Sequence, residues 1–121
     1  MTKENTNMPF INTKLNQPLT SEKEAILKAR LGEAITIFPG KSEYWLMMSF
    51  SDNERMWFRG YNNFPVAFVE VQLYGSADHA TCSRMTAEIC KIFREELGIN
   101  PEHTYVKYEF VDEWGWNGEN L

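Results

Sequence analysis

Met8-Pro9-Phe10 sets a proline directly behind a methionine at the start of a short β-like stretch. If that methionine is clipped, Pro9 becomes a chain-terminal secondary amine, the one proline nitrogen of the chain able to bind a proton. A free α-amine has a pKa of about 7.7 to 8.0, so this nitrogen could act as a general base near neutrality. With Met1–Met8 attached it is an inert tertiary amide. The available chemistry therefore depends on where the mature chain begins.

The other reactive residue types offer less. Cys82 and Cys90 fall in one helical segment. Eight residues at about 1.5 Å rise separate their Cα atoms by roughly 12 Å, beyond the approximately 7 Å a disulfide can span. His79 and His103 have no Cys or second His at ligand spacing, so a zinc site is not expected and both read as surface or capping residues. No metal or cofactor is expected.

These residues must be positioned by a single domain. The chain has 121 residues with 43% hydrophobic content, enough for one core. A net charge of −5 argues against nucleic acid as a partner, because non-specific affinity for phosphates needs clustered Lys and Arg. Nothing approaches the roughly 20 apolar residues of a membrane span, and no secretion signal is visible. A cytoplasmic protein is the simplest expectation, with export lacking a leader peptide as the other route. Residues 1–8 read as a disordered leader or unprocessed extension, and residues 9–121 as the folded domain.

Pro9 to Leu15 reads as a short strand. Ser21-Glu22-Lys23-Glu24 has the capping-box pattern that opens a helix. Leu27, Leu31, Ala34, Ile35 and Phe38 then make one apolar stripe, stopped by Pro39-Gly40. Tyr44 to Phe50 reads as a strand, with Ser51-Asp52-Asn53 turning into a minor strand, Met56 to Arg59, that could close a hairpin. Val66 to Tyr74 is the strongest strand, with Ala67, Val69, Val71 and Leu73 on one face. A second helix carries Met85, Ile89, Ile92, Phe93 and Leu97 on its core stripe, with Gly98 suited to its end. Asn100-Pro101-Glu102 is a turn, and Thr104 to Val111 is the last main strand.

Two β-α-β halves of similar length follow from this order. Right-handed crossovers make the main strands of each half parallel. The fold class is α+β, a two-layer sandwich of a four-stranded mixed sheet with two helices on one face. The opposite face would carry Phe68, Glu70, Gln72, Tyr74, Tyr105 and Lys107. It is too aromatic for a plain solvent surface, so cover by other subunits is expected.

Met8-Pro9-Phe10-Ile11-Asn12-Thr13, Pro39-Gly40-Lys41, Tyr105-Val106-Lys107-Tyr108 and Trp114-Gly115-Trp116-Asn117 occur in an order that resembles the macrophage migration inhibitory factor family of the tautomerase superfamily. The resemblance runs from Pro9 to the C-terminus. It implies a homotrimer whose sheets wrap a central channel, with active sites at the subunit interfaces. It also implies keto–enol tautomerisation of phenylpyruvate-like aryl α-keto acids, with the terminal proline as base and no cofactor. Some eukaryotic members are secreted cytokines, so a binding or signalling protein with vestigial catalysis is the alternative. A different reaction of the superfamily, dehalogenation or decarboxylation, is the weaker third reading.

By the same resemblance, Pro9 falls on the base and Lys41 on the lysine that holds the substrate carboxylate. Tyr74 falls on the mid-chain site residue, and Tyr105 on the tyrosine contributed by a neighbouring subunit. Trp114, Trp116 and Leu121 fall on the apolar wall. Lys107 stands where vertebrate members have asparagine, Trp114 replaces a smaller aliphatic residue, and Leu121 replaces an aromatic one. Substrate preference is thus not transferable. Pro65-Val66-Ala67-Phe68 occupies the place of the family's Cys-x-x-Cys pair, so thiol oxidoreductase activity should be missing. Chemically, Lys41 and Lys107 in one pocket would attract an anionic substrate and favour charge on its carbonyl oxygen. Tyr105, Trp114 and Trp116 would offer flat walls for an aryl ring.

Overall fold

Alternating apolar residues build the sheet, and its register decides which side chains meet. A computed structural model describes residues 8–121. Residues 1–7, most of the stretch read above as a leader or unprocessed extension, lie outside the described residues. The strands are β1 (Pro9–Leu15), β2 (Met47–Ser51), β3 (Ala67–Tyr74) and β4 (Thr104–Val111), in the spatial order β2-β1-β3-β4. β1 runs parallel to β2 and β3 parallel to β4, while β1 and β3 pair antiparallel at the centre. This is the doubled β-α-β plan that the element order predicts.

Helix α1 (Ser21–Ala34) and helix α2 (His79–Leu97) both pack on one face of the sheet. Leu27, Leu31, Ala34, Ile35 and Phe38 from the first half meet Met85, Ile89, Ile92 and Phe93 from the second. Ile11, Leu15, Ala67, Val69, Val71 and Leu73 supply the sheet side of this core. Leu97 is half-buried at its margin. Gly98 ends α2 in the left-handed conformation, at φ 67°, where its N–H reaches the carbonyls of Arg94 and Phe93. Cys82 and Cys90 are free thiols on α2.

Local differences from the sequence reading have identifiable causes. Thr20, not Ser21, caps α1: its extended backbone lets its hydroxyl accept from the Lys23 amide at 3.1 Å. Lys23 rather than Glu24 then occupies the third helical position, and the reciprocal box is not formed. Glu43–Trp45 is a 3-10 turn, so the strand expected from Tyr44 starts only at Met47. Met56 to Arg59 does not form the expected minor strand. Arg59 and Gly60 are both left-handed, at φ 55° and 81°, and fold the chain straight back. One isolated bridge, Phe58 with Tyr61, is the result. Asn100-Pro101-Glu102 leads into a 3-10 turn, Pro101–His103. His79 is the first residue of α2, whose cap is Asp78, and His103 is half-buried with its ring 4.3 Å from that of Phe64.

Two buried hydroxyls give stability predictions. Thr13 is fully buried in β1 and its Oγ1 finds no partner among the described residues. Thr13→Val should therefore stabilise the fold by about 1 kcal/mol or more, since it deletes an unmatched polar group while keeping the shape. Chemical denaturation would show this as a raised midpoint at unchanged slope. The Tyr108 hydroxyl donates to the Cys82 carbonyl at 3.0 Å and shares a 2.8 Å bond with Thr86 Oγ1. Burial pushes its pKa up to about 12, against the opposing Thr86 bond. A phenol held protonated by the fold contributes stability that is complete below its unfolded pKa of about 10. That contribution is lost as pH rises through about 12. Melting curves between those limits should fall steeply for this chain and less so for Tyr108→Phe.

Candidate active site

Proline suits the first residue of a strand because no ladder donor is needed there. Pro9 opens β1 in register with Leu73 of β3, and it is buried. Met8 before it continues the pairing, its carbonyl accepting from the Tyr74 amide at 3.1 Å, and only 3% of it is exposed. Both line a cavity of about 620 Å³. The remaining lining comes from Phe10, from Tyr44–Met47 ahead of and entering β2, and from Trp114–Trp116.

The tryptophans arrive on a C-terminal hairpin of β5 (Gly115–Trp116) and β6 (Glu119–Asn120). Asn117 and Gly118 turn it with φ of 55° and 83°, the left-handed pair that a two-residue hairpin turn requires. Trp114 and Trp116 thus share a cavity with Pro9. Leu121 does not line it. Its amide donates to the Trp114 carbonyl at 3.0 Å, closing the base of the hairpin.

Lys41 follows the turn made by Gly40, at φ 80°. It lines a separate cavity of about 200 Å³ together with Leu73, the register partner of Pro9. Its Nζ donates to the Tyr74 carbonyl at 3.0 Å. Burial holds the Lys41 pKa below the usual lysine value, because the ammonium loses hydration. The Tyr74 peptide region therefore joins both sides of the site: its N–H meets Met8 and its C=O meets Lys41.

Tyr105 and Lys107 lie elsewhere in the same chain. Their register partners on β3 are Phe68 and Glu70, residues of the sheet face turned away from the helices. Tyr105 is 59% exposed and rests edge-on against the Phe58 ring, 5.2 Å away. Lys107 sits between Glu109 at 3.1 Å and Glu70 at 3.4 Å. Those carboxylates, Glu109 first, raise its pKa. The two-lysine pocket expected from the sequence is thus not formed within one chain, because β-strand parity sends Lys107 to the outer face.

Phe10, Tyr44, Trp45, Leu46 and Met47 are cavity residues that the sequence reading missed. The apolar run Tyr44-Trp45-Leu46-Met47 was a usable signal, but as a continuous strand it would have pointed alternately to two faces. The 3-10 turn gathers it at the cavity instead. Among the described residues, no group of three or more His, Cys, Asp or Glu side chains could hold a metal ion, and no helix is long and apolar enough to cross a membrane.

The family model described as Macrophage migration inhibitory factor (MIF) matches residues 8–121. The crystal structure of Leishmania major MIF2 is 34% identical, spans 95% of this chain and 98% of its own, and superposes with a TM-score of 0.88. A macrophage migration inhibitory factor homologue from Prochlorococcus marinus is 28% identical over 92% of this chain and 97% of its own, with a TM-score of 0.77. At 16% identity, the MIF-like protein of Entamoeba histolytica shows a likeness of fold, covering 94% of this chain and 99% of its own with a TM-score of 0.83. Among curated proteins, none matches. The chain belongs to the macrophage migration inhibitory factor family, of the tautomerase superfamily. Proteins of this family are typically homo-oligomers with sites between subunits, and membership supports tautomerase-type isomerase chemistry in general.

Proposed function

We propose that this protein is a cofactor-free keto–enol tautomerase for phenylpyruvate-like aryl α-keto acids, active when Pro9 is the mature N-terminus. The observation that carries the reading is the placement of Pro9 on the wall of a cavity shared with Trp114 and Trp116. As a free secondary amine, Pro9 would take a proton from the carbon beside the substrate carbonyl and return it to the oxygen, or the reverse. Apolar walls favour the neutral, basic form of that amine. Lys41 supplies positive charge one strand away for the substrate carboxylate, at the peptide carbonyl of Tyr74. Tyr105 and Lys107 would complete the site from a neighbouring copy in a homotrimer, with Lys107 partly neutralised by its two glutamates.

The direct test is the ultraviolet decay of phenylpyruvate enol with a chain starting at Pro9 and with the same chain carrying Pro9→Gly. Equal rates would end the proposal. The alternative, a binding or signalling protein on the same scaffold, turns on whether Met8 is retained. Where that residue is retained, the Pro9 nitrogen is an amide and the cavity can only bind. Intact mass of the protein from its native source separates the two, and the same material fractionated by compartment addresses cytoplasmic residence against export.

A further inference from the structure

Among the described residues, the hydrogen bonds of Trp114–Leu121 stay within residues 113–121: the β5–β6 pairing, Leu121 N–H to the Trp114 carbonyl, and the Asn120 amide to Glu113. A ring contact joins the C-terminal hairpin to the body of the chain. The Trp45 and Trp116 rings meet edge-to-face, with centroids 5.0 Å apart and planes at 88°. Trp45 in turn meets Tyr44 at 5.0 Å and 86°.

Trp45 is itself mounted on the helical layer. It belongs to the Glu43–Trp45 turn, and the Glu43 carboxylate pairs with Lys28 of α1 at 2.8 Å. That carboxylate lies over Gly32, where a Cβ would come within 2.6 Å of Glu43 Cδ. The absence of a side chain at Gly32 makes room for it. A path of contacts thus runs from α1 through Glu43 and Trp45 to Trp116.

We infer that Trp45 is a positioning residue for the aryl-binding wall, clamping the hairpin so that Trp114 and Trp116 face the cavity that holds Pro9. The catalytic consequence rests on the tautomerase reading, whereas the clamp does not. Trp45 needs no contact with the reacting carbon. Its role is to hold the aromatic surface that recognises the ring of the substrate, so its loss should weaken aryl substrates selectively.

The test uses the chain beginning at Pro9, with Trp45→Ala, Trp45→Phe, Trp116→Ala and the double variant Trp45→Ala with Trp116→Ala. Limited chymotrypsin digestion reads the clamp without any substrate. Cleavage after Trp114 should accelerate in Trp45→Ala and in Trp116→Ala, no further in the double variant, and return to near the parent rate in Trp45→Phe. With phenylpyruvate, Trp45→Ala should raise KM roughly 3- to 10-fold, the range of one aromatic pair, at nearly constant kcat. A hairpin as protected in both alanine variants as in the parent overturns the clamp. An opened hairpin with unchanged KM overturns the specificity role. If no form turns over phenylpyruvate, the tautomerase reading fails, while the digestion still decides the clamp. Should Trp45→Ala fail to fold, Trp116→Ala on the exposed strand β5 carries the same test.

Discussion

A chain beginning at Pro9 is expected to tautomerise phenylpyruvate at least about 10³-fold faster than the same chain retaining Met8, the scale of a positioned general base. Two effects act in the same direction. The Met8–Pro9 peptide bond removes the basic lone pair, so proton abstraction by this nitrogen stops. Met8 also lies in the cavity at 3% exposure, with its carbonyl on the Tyr74 amide. Its removal frees that N–H and enlarges the space beside Pro9. Binding and chemistry can be separated by measuring rate with the two chains and, in parallel, quenching of tryptophan fluorescence by an unreactive aryl carboxylate. Full turnover by a chain whose intact mass includes Met8 would rule out Pro9 as the base.

The second large effect is expected at Lys41. Lys41→Gln should lower kcat/KM for phenylpyruvate by about 10²-fold, as for removal of one preorganised charged donor. The amide can still donate to the Tyr74 carbonyl, now held at 3.0 Å by the ammonium, so the fold should survive. Burial depresses the lysine pKa, which means that the unfolded chain binds a proton more readily than the folded one. Between the depressed folded value and the ordinary unfolded value, stability therefore rises with pH, while activity that needs the cation falls. The alkaline limb of kcat/KM should lie below the usual lysine range and should vanish in Lys41→Gln. An unchanged pH profile in that variant would remove Lys41 from the site.

Periodic segments were legible in the sequence because burial repeats with backbone geometry. The stripe Met85, Ile89, Ile92 and Phe93 and the alternation Ala67, Val69, Val71 and Leu73 are buried as their spacing requires. The limits Thr104 and Val111 of the last long strand hold without shift. Aperiodic segments were not legible. The expected hairpin is absent where the Asn53 and Glu54 amides donate instead to the Gln17 and Leu15 carbonyls, and Arg59 adopts a left-handed conformation that its residue type does not announce. Thr20 and Ser21 are both good caps, and only the extended backbone at Thr20 selects between them.

At the site, the motifs from Met8-Pro9-Phe10 to Trp114-Gly115-Trp116-Asn117, through the family resemblance they carry, put Pro9 and the two late tryptophans together; no periodicity in the sequence does so. The tertiary structure decided the rest. A 3-10 turn swings Trp45 onto Trp116, and strand parity carries Tyr105 and Lys107 to the face opposite the helices. Such contacts depend on turns and on inter-strand register. These are fixed by packing among residues distant in the chain, so they leave no periodic trace in the sequence.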